Sequence, residues 1–196
     1  MALPVDNGSG KNCQDYGCWS GTPAFTLYLQ RNLVWKDEIT LCTDVIQKSP
    51  GSIREHGNLG LAYIKAKKYD TAKEYLTKAI TIGHNDKSSN FGFAARTKYI
   101  AIAHDNLGLA HRETGNYPEA LFHAEQALKL ESDRPNALVT LGITYSKLGQ
   151  DLNAYNYFSK ASREGIVSVD LYNNWAVSSF ELGRVDDTIL LVSACP

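Results

Sequence analysis

The chain has 196 residues, with 20 Lys and Arg against 21 Asp and Glu, a formal net charge of -1 and 43% hydrophobic residues. That length suits one domain or one array of small repeats, and the balanced charge excludes a dedicated binder of nucleic-acid phosphates, which needs an excess of positive charge. No run of about 18 apolar residues occurs, so no membrane insertion by this chain is expected.

Residues 1–18 carry three Gly, two Cys and little periodicity, and they read as a mobile leader. The opening Met1-Ala2-Leu3-Pro4 lacks the basic and then apolar regions of a signal peptide. The chain names no compartment: the cytoplasm is the default, and an extra-cytoplasmic side applies if it is part of a membrane protein. Cys13 and Cys18 have no second Cys or His pair at ligand spacing, and Gly8-Ser9-Gly10-Lys11 lacks the rest of a phosphate-loop pattern.

Beyond the leader the chain repeats itself. Asn58-Leu59-Gly60-Leu61-Ala62-Tyr63, Asn106-Leu107-Gly108-Leu109-Ala110-His111 and Thr140-Leu141-Gly142-Ile143-Thr144-Tyr145 are near copies. Each is followed by two Ala seven residues apart: Ala72 and Ala79, Ala120 and Ala127, Ala154 and Ala161. Gly108 and Gly142 are 34 residues apart, and the same step reaches Ala176. In that phase five units are expected: 19–52 (degenerate), 53–86, 101–134, 135–168 and 169–196 (truncated). Gly115 and Gly149 supply left-handed helix stops, whereas Lys67-Lys68 replaces that Gly in the earlier copy. Between the second and third units the spacing is 14 residues too long. Phe91, Ala95, Tyr99, Ala103 and Leu107 step by four there, which predicts a helical extension over 87–100 and one long helix from about Ser89 to Thr114.

These phased positions resemble the tetratricopeptide repeat family, whose 34-residue pattern combines Leu-Gly, Tyr and Ala positions. The resemblance implies an all-α, right-handed solenoid of antiparallel helix pairs, with the first helix of each pair lining a concave groove. It also implies a protein or extended-peptide partner held in that groove, no cofactor and no catalytic activity. Asn58, Asn106 and Asn174 stand two residues before the Gly position or its equivalent, with Thr140 in the fourth place. They resemble the asparagine ladder of some superhelices of this family, in which side-chain amides pair with a peptide backbone. The carboxylate clamp of other members needs Lys and Arg on successive first helices. Here the neighbouring positions are Gly57, Leu61, Asp105, Leu109, Val139 and Ile143, largely apolar. A further likeness, at Arg31-Asn32-Leu33-Val34-Trp35, is to the entry into the repeat region of multi-pass membrane glycosyltransferases. It implies a regulatory or substrate-presenting portion of such a protein.

No catalytic, cofactor-binding or metal-binding residue is assigned. His104 and His111 occupy the aromatic and Tyr positions of the repeat, as His56 does the leading aromatic one, so they read as packing residues. His123 has no acidic or Cys partner nearby in sequence, and no His-Glu-x-x-His motif occurs. In the last unit, Ile189, Leu190, Leu191 and Val192 cover more than one helix face and cannot all turn inward. The remainder implies self-association through this end, with a homodimer the simplest closed form, or a continuation of the natural chain.

Overall fold

The computed structural model describes residues 37–85 and 92–194, and these are helical, without strands. The helices are α1 (Glu38–Lys48), α2 (Ile53–Lys65), α3 (Tyr69–Asn85), α4 (Phe93–Glu113), α5 (Tyr117–Leu130), α6 (Pro135–Lys147), α7 (Asp151–Arg163), α8 (Val169–Glu181) and α9 (Val185–Ser193). Helices α2 to α9 form four antiparallel pairs. Helix α1 stands where the second helix of the first unit is expected, and it buries Cys42. Residues 19–36 of that unit lie outside the described residues, as do the leader with Cys13 and Cys18, and Cys195.

Local chemistry sets the helix ends. Asp37, Ser52 and Ser168 cap α1, α2 and α8 by accepting from the backbone N–H of Thr40 (2.8 Å), Glu55 (3.4 Å) and Leu171 (3.2 Å). Pro135 opens α6 where its missing N–H costs nothing. Five helices end in one motif: a left-handed residue, followed by an N–H that reaches back over the last turn. Gly115, Gly149, Gly165 and Gly183 take φ of 75, 69, 86 and 71°, and Lys67 takes 57° in the place where the earlier copy lacks Gly. The closing bonds run from the N–H of Lys68, Asn116, Gln150, Ile166 and Arg184 to the carbonyls of Tyr63, His111, Tyr145, Ala161 and Ser179, at 2.9 to 3.2 Å.

The long helix is shorter than the sequence suggests. It begins at Phe93 rather than near Ser89, because Gly92 is an extended N-cap (φ -53, ψ 153) through which the helix cannot run. Ser89 and Phe91 lie outside the described residues. At 21 residues α4 still exceeds the 13 of α2, α6 and α8, by roughly 12 Å at about 1.5 Å per residue.

Packing within a pair rests on a small residue in the first helix opposite the second helix. A Cβ on Gly60 would fall 2.5 Å from Leu76, and one on Gly142 would fall 2.5 Å from the Phe158 ring. At Gly108 the obstruction is backbone, with Ala120 O and Ala124 N both at 3.2 Å, so α4 and α5 approach more closely there. Phe158 is fully buried with Leu138, Ala154, Ala161 and Leu171, joining α6, α7 and α8 into one core cluster.

Each pair packs on the next. Helices α2, α4, α6 and α8 touch one another in succession, whereas the backbones of the outer helices α3, α5, α7 and α9 stay apart, with α7 and α9 meeting through the Tyr155 hydroxyl, which donates to Asp187 Oδ2 at 3.2 Å. The layer that touches is the inner layer of a curved array, and its exposed side is the concave face.

Candidate groove on the inner helices

The expected rungs of the groove do not share one environment. Asn58 is exposed, Asn106 and Asn174 are half-buried, and Thr140 is 3% exposed. Asn58 Nδ2 points to Glu55 Oε2 at a long 3.5 Å, and Asn174 Nδ2 donates to the Asp170 carbonyl at 2.7 Å. The carbonyl of Thr140 accepts from Thr144 Oγ1 at 2.6 Å. A Thr side chain is shorter than an Asn side chain, and at 3% exposure it offers no hydroxyl to a groove ligand. The open polar row is therefore Asn58, Asn106 and Asn174.

Three residues further along each helix, and so beside this row on the helix surface, lies an apolar row. Leu61, Leu109 and Ile143 are half-buried and Val177 is 54% exposed. Leu61, Leu109 and Ile143 are legible as groove positions in the sequence. Val177, and beyond it Phe180 at 63% exposure, are found only when the 34-residue step is carried into the last unit.

Four cations of the inner layer already face carboxylates. Lys65 Nζ lies 2.8 Å from Glu38, Arg54 Nε 2.8 Å from Glu55, and Arg112 2.7 Å from Glu113. Arg134 stands 3.6 Å from the buried Asp105 and 3.3 Å from Glu131. Burial raises the Asp105 carboxyl to about 6, against the opposing pull of Arg134 and Arg112.

The histidines pack, as their repeat positions imply, and they also meet. His104 Nδ1 is 3.0 Å from His123 Nδ1, and His111 stacks on His123 with ring centroids 5.4 Å apart. Burial is the main cause that pushes all three down, His104 to about 4. His56 is buried against Tyr75. Among the described residues no three His, Cys, Asp or Glu side chains are arranged to hold a metal ion. No described helix is long and apolar enough to cross a membrane. Burial also pushes the Cys42 thiol up, with Glu55 and Glu38 adding to it, which makes it a poor nucleophile.

In the last pair Leu191 turns inward at 4% exposure, while Ile189, Leu190 and Val192 are 64, 67 and 62% exposed. Val192 lies 34 residues after the fully buried Phe158. The face that each earlier pair covers with its successor is therefore open here.

Comparison with known proteins agrees with this architecture. A model for the tetratricopeptide repeat matches residues 56–82, and one described as anaphase-promoting complex, cyclosome, subunit 3 matches residues 113–195. The crystal structure of MamA superimposes with a TM-score of 0.63 at 19% identity, covering 80% of this chain and 84% of that one. PilF of Pseudomonas aeruginosa gives a TM-score of 0.65 at 18% identity, covering 85% of this chain and 69% of that one. No curated protein matches the chain in sequence. Arg31 to Trp35, which carry the glycosyltransferase likeness, lie outside the described residues.

Proposed function

We propose that this chain, an array of tetratricopeptide-repeat type by its fold and by the family models it matches, is a non-catalytic scaffold that binds a partner protein or extended peptide along its inner face. The observation that carries this reading is the pair of rows on α2, α4, α6 and α8. Leu61, Leu109, Ile143 and Val177 form an accessible apolar row, flanked by Asn58, Asn106 and Asn174. Apolar side chains of a partner gain by covering the first row. The amides of the second can pair with backbone N–H and C=O groups whatever the partner's side chains are.

The test is a capture experiment with the purified chain, followed by identification of the bound segment and a mutant series. Each amide's pair of hydrogen bonds contributes roughly 1–3 kcal/mol where water is excluded. Asn58→Ala with Asn106→Ala is thus expected to weaken binding at least about tenfold. The melting temperature should stay nearly unchanged, because Asn58 is exposed and its hydrogen bond is long. An unaltered affinity in the double variant would assign both residues to the helix surface alone.

The same chain also presents an apolar end, and its reading is a homodimer through α8 and α9. Val177, Phe180, Ile189, Leu190 and Val192 are each more than half exposed, and two such faces related by a two-fold axis cover each other. Ile189→Glu with Leu190→Glu is expected to shift sedimentation from dimer to monomer without unfolding the chain. Leu191 is left out of this variant because it is buried. A wild type that sediments as a monomer, unaffected by these changes, would remove the interface.

A further inference from the structure

Three imidazoles meet between α4 and α5, and burial opposes the protonation of each. His104 Nδ1 and His123 Nδ1 stand 3.0 Å apart, so one ring donates, the other accepts, and one proton occupies the gap. His111 lies nearly parallel on His123, at 16° between planes, and its Nδ1 is buried without a hydrogen-bond partner. Adding a proton to that nitrogen would create a buried donor with nothing to receive it. A first proton added to the neutral His104–His123 pair goes to the donor ring's Nε2 and leaves this bond beside one cation; a second added proton sets two cations side by side and removes the bond.

We infer that this imidazole stack is an acid-sensitive joint: protonation separates α4 from α5 locally and loosens the middle of the inner face. The charged and titratable groups facing the stack do little to oppose this. From α3 come His84, toward His104, and Lys73, toward His111, the latter Lys itself 3.2 Å from Asp70. From α5 comes Glu119, the one carboxylate that acts on His111 and His123. Helices α2 and α6 bring no charged group to bear on these three rings. Phe122, edge-on to His123 at 5.1 Å, adds an apolar wall.

The sign follows from the depressed proton affinities. Between the ordinary value of 6.5 and about 4, the unfolded chain holds a proton at His104 that the folded chain does not. The stability of the joint is full above 6.5 and is lost as pH falls through that window. The proton affinity of His104 is thus weaker in the folded chain than in the unfolded one. Asp105, on the same helix, works the other way. Its carboxyl, raised to about 6, takes up a proton in the folded state first, so that site gains stability as pH falls from 6 toward 3.8. A melting curve of the whole molecule mixes both signs, and the decisive readout is local.

The experiment follows the imidazole ring protons by NMR from pH 8 to 4, with amide-exchange protection measured helix by helix. His104 is expected to titrate near 4 and the other two below 6.5. At pH 4.5 protection in α4 and α5 should have fallen at least about tenfold relative to pH 7.5, while α8 and α9 keep theirs. The His104→Gln, His123→Gln variant retains hydrogen-bonding groups that cannot be charged, so it should keep its protection at pH 4.5. Titration of His104 at its ordinary value, unchanged protection of α4 and α5 in acid, or an equal loss in the variant would each overturn the inference. If the variant does not fold at pH 7.5, the wild-type titration and protection decide alone. These readouts need no ligand, so they stand or fall separately from the proposed binding function.

Discussion

Phe158→Ala is expected to destabilise the chain by roughly 3–5 kcal/mol, the usual cost of removing a fully buried aromatic ring and leaving its cavity. For a chain of this size, about 2–4 °C per kcal/mol places the fall in melting temperature at roughly 6–20 °C. The ring has 0% exposure and joins three helices, contacting the cluster of Leu138, Ala154, Ala161 and Leu171. A repeat array is held by nearest-neighbour contacts, so the loss should not spread evenly. Helices α6 to α9 should melt before α2 to α5, turning a single transition into two. Calorimetry with amide exchange measures both effects. A single transition within about 2 °C of wild type would show that this ring is not the keystone of the C-terminal pairs.

Gly108→Val is expected to cost roughly 1–3 kcal/mol through overpacking, although Val favours the helix slightly more than Gly does. At Gly60 and Gly142 an added Cβ meets the side chains of Leu76 and Phe158, which other rotamers can partly move aside. At Gly108 it meets Ala120 O and Ala124 N at 3.2 Å, with Ala124 Cβ at 3.4 Å, and only a shift of a whole helix relieves that. The variant should lose amide protection on both sides of the α4–α5 contact in a denaturant titration. Wild-type stability would mean that the two helices separate more easily than their backbone contact implies.

The repeat architecture is legible in the sequence because its cause is local and recurrent. The same small residue lets each helix pair close, the same left-handed turn ends each helix, and both return in phase. What the sequence hides depends on contacts between units. Thr140 shares its repeat position with Asn58 and Asn106, yet a shorter side chain and neighbours on both flanks leave it covered. His123 reads as isolated until the antiparallel pairing of α4 and α5 sets it 3.0 Å from His104. Periodicity sets the start of α4 too early because the four-residue step of apolar positions continues past Gly92, and periodicity alone does not register an extended N-cap. Among the four apolar residues near the end, the period of a helix says that some face outward; only the placement of α9 on α8 selects Leu191 as the one buried.

The uneven contact between pairs has a mechanical consequence. Each pair is joined to the next between successive inner helices and between the outer helix of one pair and the inner helix of the next, while the outer helices meet one another sparsely, as at Tyr155 and Asp187. Bending that opens or tightens the curve is then distributed as small rotations over the seams between successive pairs. The core clusters that cross from one pair to the next, such as the one around Phe158, set the limit of such bending. A chain built in this way stores shape in its pitch. Under tension along its length it should lengthen by uncoiling before any helix unravels, and recoil when the load is removed.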